Sequence, residues 1–131
     1  AYWLQTTSEA RLSALKAALD MQRACDEVQR VHGELLAGVG LKFRAGAAVH
    51  LGPVVYGGFG AQEFTLLGDA VNLAFRLEKM TRDLDARALV SGDVLQGWDE
   101  GQGFCRPLGT HPVKGRARPV EVFALDDLAG A

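Results

Sequence analysis

Apolar residues recur every three or four positions through the first third of the chain. They are Leu12, Leu15, Leu19, Met21, Cys25, Val28 and Leu35. An α-helix has about 3.6 residues per turn, so this spacing predicts a helix over residues 8–37 with one buried face. Ser8 is a candidate N-cap, and Gly38 and Gly40 are expected to end the helix.

The next segments are short, and their patterns are typical of strands. Residues 41–51 alternate weakly between apolar and charged side chains, and Gly52-Pro53 predicts a tight turn into a second, antiparallel strand at 54–56. A third strand is predicted at 64–67, and the aromatic and apolar residues 1–4 are expected to form another strand. These segments predict a sheet early in the chain.

A second amphipathic helix is predicted at about residues 70–84, with Asp69 as its N-cap. Residues 88–91 are expected to form a short buried strand, and Ser91 is expected to cap a brief helix that reaches Trp98. A loop at 99–103, an extended segment at 104–108 and a hairpin at 113–125 with its turn at 115–118 complete the pattern. Strands and helices alternate, but the turn and the hairpin require antiparallel neighbours, so the expected fold class is α+β with a mixed sheet.

Composition and charge narrow the possible functions of the chain. It has 131 residues, the size of one domain, with a net charge of −2 and a pI near 5.9. This balance leaves no basic excess for binding nucleic acid or an anionic membrane. No apolar run approaches the ~20 residues of a membrane span. The two cysteines, Cys25 and Cys105, have no metal-ligand or disulfide spacing, which favours a reducing cytoplasm.

Two polar residues stand out on the second predicted helix. Asn72 and Arg76 are four positions apart and so project from one helical face about a turn apart. A polar pair of this kind is usually just exposed to solvent. Here the neighbours Val71, Leu73, Ala74, Phe75 and Leu77 are apolar, which indicates packed surfaces nearby, where a polar group needs a partner. A ligand or a second subunit would meet that need.

The stretch from residue 63 to 78 resembles the signature of the class III nucleotidyl cyclases, which close a nucleoside triphosphate into its 3′,5′-cyclic monophosphate. The resemblance implies that Asn72 orients the ribose and that Arg76 holds the α-phosphate. It implies that Thr65 reads the purine edge, with a leaning toward ATP, and that Lys114 reaches the triphosphate. The alternative for Thr65 is an ordinary β-branched strand residue without a binding role. The alternative for Lys114 is an ordinary charged residue at the end of a hairpin. Arg116 and Arg118 are expected to be solvated.

The resemblance covers roughly the last two thirds of a cyclase catalytic domain. It implies a ferredoxin-like α+β fold without its first strands, and a head-to-tail homodimer with active sites between the subunits. The family holds Mg²⁺ or Mn²⁺ with two Asp residues that have no match here, so the ligands are expected before Ala1. Residues 1–131 by themselves are expected to be inactive.

The leading hypothesis is therefore an adenylate cyclase that forms cyclic AMP and pyrophosphate in the cytoplasm. A catalytically inactive homology domain, serving dimerisation or nucleotide sensing, is the main alternative. A guanylate cyclase is a weaker one, because a Thr65 hydroxyl both donates and accepts hydrogen bonds and does not by itself distinguish adenine from guanine.

Overall fold

Helices and strands alternate along the part of the chain that the computed structural model describes, residues 7–42, 44–58 and 64–128. In chain order the elements are α1 (Ser8–Gly38), β1 (Ala47–Val49), β2 (Val55–Gly58), β3 (Phe64–Leu67), α2 (Asp69–Asp83), β4 (Ala88–Ser91), α3 (Gly92–Leu95), α4 (Asp99–Phe104), β5 (Cys105–His111) and β6 (Val120–Leu125). The predicted strand at residues 1–4 lies outside the described residues.

The central sheet has the strand order β1-β4-β6-β5. Strands β1 and β4 run parallel, whereas β4 with β6 and β6 with β5 run antiparallel. Strands β2 and β3 form a separate antiparallel pair that leads directly into α2. The predicted α+β class with a mixed sheet is therefore confirmed.

Hydrophobic cores cover both faces of the central sheet. The α1 core contains Leu15, Ala18, Leu19, Ala47, Ala88, Val90, Val94, Leu95, Trp98, Cys105 and Leu125. The α2 core contains Leu73, Leu77, Ala86, Leu89, Val113, Val120, Val122 and Ala124. Successive side chains of a strand point to opposite faces, so β4 contributes Ala88 and Val90 to one core and Leu89 to the other. The two long helices thus lie on opposite sides of the sheet.

Helix α1 matches the predicted span, but its N-cap is a different residue. The side chain of Thr7, not Ser8, accepts a hydrogen bond from the Ala10 N–H at 3.1 Å. The buried residues of α1 all lie between Ala14 and Cys25. Its C-terminal half carries exposed apolar side chains, including Leu35 at 72% exposure.

Strand β1 is shorter than predicted, and its partner differs from the expected one. It pairs in parallel with β4, whereas the segment at 54–56 was expected to be its antiparallel neighbour. The reason is a close approach at Gly52, where an added Cβ would lie 2.7 Å from the Ala70 Cβ. The chain therefore passes over the start of α2 and does not fold back along β1.

The C-terminal part contains two further differences from the sequence prediction. Residues 99–103, expected to be a loop, belong to α4, where Gly101 packs so closely under Trp98 that a Cβ would overlap the indole ring. The closing hairpin pairs β5 with β6, and residues 112–119 form its connection. Val113 was expected to start a strand, but it is buried in the α2 core within that connection.

Both cysteines are free and buried. Burial raises the pKa of the Cys105 thiol to about 11, so this group stays protonated at physiological pH. Across the described residues, no helix combines the length and hydropathy needed to cross a membrane.

Candidate active site

Helix α2 presents Asn72 and Arg76 on the side away from its packed face. Its buried residues Ala70, Leu73, Leu77 and Thr81 recur at helical spacing and fix this orientation. Asn72 is exposed, and Arg76 is half-buried. The expectation that packed surfaces lie nearby is met at Arg76, whereas the Asn72 side chain is exposed and has no hydrogen-bond partner among the described residues.

Arg76 lies against the connection between β5 and β6. A Cβ added at Gly115 would be 2.9 Å from Nη1 of Arg76 and 3.6 Å from Nη2, so the guanidinium contacts the backbone of that turn. Gly115 has a φ of +89°, a conformation that L side chains rarely adopt. Lys114 is the preceding residue and is exposed. The fold thus brings Arg76 next to the turn that carries Lys114.

An ion pair joins the same connection to the start of α2. Arg116 Nη1 lies 3.5 Å from Asp69 Oδ2, and the Arg116 side chain is only 31% exposed. The expectation that Arg116 is solvated is therefore wrong. Asp69 was also expected to be the N-cap, but the cap is Gly68, which has no side chain, and Asp69 is the first helical residue. Its carboxylate instead pairs with Arg116 across the two elements.

Thr65 lies in β3, opposite Gly57 in β2. Its side chain is outside the described part of the structure, so its role in reading the purine stays a prediction. Two residues separate β3 from Ala70, and Gly68 makes the turn with a φ of +142°. The backbone at Thr65 is therefore connected to α2 by a short, tight link.

His50, Asp69 and Arg116 lie at or beside the start of α2, although the sequence gave none of them a functional role. Nδ1 of His50 lies 2.7 Å from Ser91 Oγ. Ser91 occupies the N-cap position of α3 but makes no capping bond. The sequence signal for Arg116 was its place two residues after Lys114, but its partner could only be found in the fold.

An open cleft between described residues lies elsewhere. It has a volume of about 720 Å³ and lies between α1 and the ends of the central strands. Its charged lining residues are Arg23, Asp26, Lys42, Arg44, Asp85, Arg87, Asp126 and Asp127. Asn72, Arg76 and Lys114 do not line it.

Metal-ligating side chains are not clustered in the described segments. No three His, Cys, Asp or Glu residues there lie close enough together to hold a metal ion. Asp69, the acidic residue at the start of α2, is already paired with Arg116.

Comparison with known proteins identifies the class to which this fold and site belong. Residues 4–127 match the adenylate and guanylate cyclase catalytic domain. The chain belongs to this family, as the sequence predicted.

Named relatives are adenylate cyclases. The chain is 39% identical over 87 residues to adenylate cyclase 1 of Rhizobium meliloti, and this match covers 64% of the present chain and 13% of that protein. It is 30% identical over 118 residues to the adenylate cyclase of Anabaena cylindrica, covering 86% of this chain and 24% of that protein. Among solved structures, the adenylyl cyclase CyaB from P. aeruginosa has a TM-score of 0.64 at 28% identity, covering 92% of this chain and 62% of that one. The chain therefore spans about an eighth of the first of these two cyclase sequences and about a quarter of the second.

Proposed function

We propose that this domain supplies the ribose- and phosphate-binding side of an adenylate cyclase site, which converts ATP into 3′,5′-cyclic AMP and pyrophosphate. The main support is the contact between Arg76 and Gly115, which brings the guanidinium beside the turn that carries Lys114. Two cationic side chains from distant parts of the sequence then lie at one surface, together with the exposed amide of Asn72. This combination suits a polyanionic substrate that also carries a sugar.

The chemistry gives each of these groups a role. The ribose 3′ oxygen loses its proton and attacks the α-phosphorus, and the bond from that phosphorus to the pyrophosphate oxygen breaks. Charge shifts onto the phosphate oxygens during this step, and a planar guanidinium offers several donors to them. Arg76 would stabilise this charge, and Asn72 would hold the ribose in line for attack.

Lys114 and Thr65 would bind the two ends of the nucleotide. Lys114, as a flexible point charge, suits the outer phosphates that leave as pyrophosphate. Thr65 would contact the purine edge from β3. The leaning toward ATP agrees with the adenylate cyclases among the relatives.

We also propose that the reaction requires Mg²⁺ or Mn²⁺, as is general for this catalytic-domain family. Such an ion, when bound, stabilises charge on phosphate oxygens and favours ionisation of the attacking hydroxyl. No ligand is assigned to it within this chain, because the described residues do not form a suitable set.

A second copy of the natural protein would complete the site. Asn72 is exposed, and apolar side chains lie exposed on the same helix and on the strand pair that leads into it. Phe75 is 64% exposed, and Val55 and Leu67, which are paired in register, are 71% and 52% exposed. Exposed apolar residues next to a candidate site fit a protein interface. We propose a homodimer located in the cytoplasm, where ATP is present and thiols stay reduced.

The test is nucleotide turnover by the natural protein and three variants. We expect Asn72→Ala and Arg76→Ala each to lower the rate of cyclic AMP formation by about 10²- to 10³-fold, the usual cost of removing one donor to a developing negative charge. Arg82→Ala is the matched control, because Arg82 is an exposed arginine in the last turn of the same helix. Its rate should stay at the parental value.

Each result has a separate meaning. Equal loss in all three variants would indicate damage to α2 and would refute the assigned roles. Formation of cyclic GMP in preference to cyclic AMP would identify a guanylate cyclase. A folded natural protein that binds ATP but forms no cyclic nucleotide with Mg²⁺ or Mn²⁺ would identify a nucleotide-sensing module.

A further inference from the structure

A buried histidine connects the ends of two central strands. His50 follows β1 directly, and its side chain is only 3% exposed. Its Nδ1 lies 2.7 Å from the Oγ of Ser91, the fully buried last residue of β4. Because β1 and β4 run parallel, their C-terminal ends meet at one edge of the sheet. The hydrogen bond therefore joins neighbouring strands at the point where each leaves the sheet.

The other edge of the imidazole faces the segment that packs on α2. A Cβ added at Gly52 would lie 3.3 Å from Nε2 of His50 and 2.7 Å from the Cβ of Ala70. Gly52 is thus enclosed between the His50 ring and the first turn of α2. Ala70 is buried and stands two residues before Asn72. A chain of contacts therefore runs from Ser91 through His50 and Gly52 to the start of the helix that carries the candidate site.

Charged groups from three elements surround His50. Asp93 of α3 has its Oδ2 3.9 Å from Nδ1, and Asp69 of α2 and Arg116 of the β5–β6 connection also act on the ring. Burial has the largest effect on the pKa of His50 and lowers it. The positive charge of Arg116 lowers this pKa further, whereas the negative charges of Asp93 and Asp69 raise it. The imidazole is therefore neutral at pH 7, with one nitrogen able to accept a hydrogen bond.

We propose that His50 is a positioning residue: held by Ser91, it fixes the Gly52 segment against Ala70 and so sets the position of Asn72 and Arg76. The inference rests on the proposed function for its catalytic consequence. Its structural part concerns the placement of α2 and is independent of that function. If His50 were only a structural core residue, its removal would lower the stability of the whole domain. It would not change the first turns of α2 more than the rest of the fold.

The experiment compares three histidine variants of the natural protein. His50→Leu fills the space without a hydrogen bond, whereas His50→Asn keeps a polar atom close to the position of Nδ1. His32→Leu is the control, because His32 is an exposed histidine on α1, away from this cluster. Hydrogen–deuterium exchange is followed on peptides that cover residues 69–76, under conditions where circular dichroism shows each variant to be folded.

We expect faster exchange at residues 69–76 in His50→Leu, with the remaining peptides close to the parent. His50→Asn should largely restore the parental exchange, and His32→Leu should not change it. For ATP turnover, we expect kcat to fall about tenfold or more in His50→Leu while KM changes little, because a misplacement of ~1 Å can cost about a hundredfold in rate.

Unchanged exchange at residues 69–76 in His50→Leu would overturn the proposal, whatever the activity of the protein. Faster exchange spread evenly over all peptides, or an Asn variant as impaired as the Leu variant, would also overturn it. If the parent protein forms no cyclic nucleotide, the proposed function fails, and the exchange data still decide whether His50 positions α2.

Discussion

Gly115 combines a positive φ with a close approach to the Arg76 guanidinium. A side chain at this position would therefore act in two ways. It would strain the backbone, and it would displace the nitrogen that lies 2.9 Å from the added Cβ. Gly109 has a similar φ of +86° but no atom within 4 Å of an added Cβ, so it isolates the backbone effect.

We expect Gly115→Ala and Gly109→Ala each to lower the free energy of unfolding by about 1–2 kcal/mol, the usual cost of a left-handed conformation for an L residue. Only Gly115→Ala should also reduce cyclic nucleotide formation, because only there does the new methyl group meet Arg76. Urea denaturation measures the first effect, and turnover at saturating ATP measures the second. Equal activity losses in the two variants would mean that backbone strain alone is responsible and that the Arg76 contact is unimportant.

The sequence identified some residues of the candidate site better than others. Asn72 and Arg76 stood out because their spacing and apolar neighbours form a local pattern on one helix, and the resemblance to the cyclase signature supplied their expected roles. His50, Asp69 and Arg116 were not assigned functional roles, because their partners are distant in the chain. The Asp69–Arg116 pair spans 47 positions, and the His50–Ser91 bond spans 41. Their significance depends on contacts that only the fold creates.

Helix α2 is held on the sheet mainly by apolar side chains. Leu77 is fully buried in the α2 core, and Leu73 is 1% exposed. We expect Leu77→Ala to reduce the free energy of unfolding by about 2–5 kcal/mol. The variant loses the free energy gained by burying the removed atoms, and the cavity that they leave destabilises the fold further.

Lys79→Ala is the matched control on the same helix, since Lys79 is exposed. The free energy of unfolding of this variant should differ from the parental value by no more than about 0.5 kcal/mol, as is usual for surface substitutions. Urea denaturation followed by circular dichroism measures both variants. A loss below ~1 kcal/mol in Leu77→Ala would contradict the packing of α2 described above.

Element boundaries were predictable where the local pattern was sufficient. Strands β3 and β4 have the predicted bounds, and α2 is displaced by one residue from its predicted span. The partner of β1 and the helix at residues 99–104 were missed for a different reason. They depend on the close approaches of Gly52 to Ala70 and of Gly101 to Trp98, which no local pattern reveals.

At the scale of the whole molecule, the two cores share one sheet. Strand β4 is buried at every position and contributes to both, so loss of either core should remove the support of the other. We expect the described fold to unfold in a single cooperative transition.

Trp98 provides the test, because it lies in the α1 core, whereas Leu77 lies in the α2 core. In a background where the tryptophans other than Trp98 are replaced by Phe, Trp3 among them, the Trp98 fluorescence should change at the same urea concentration as the far-ultraviolet circular dichroism. Leu77→Ala should shift both midpoints by the same amount. A fluorescence midpoint that does not respond to Leu77→Ala would mean that the two cores unfold independently.

The alternating contribution of β4 to two cores also limits how this region can change in length. Shifting a strand by one residue exchanges its side chains between the two faces, so a single-residue insertion or deletion within residues 88–91 would turn the residues on one side of the change toward the wrong core. It would also move the Ser91 hydroxyl away from His50. Natural variants of this domain are therefore expected to differ in length in the surface connections, while these four residues stay uninterrupted.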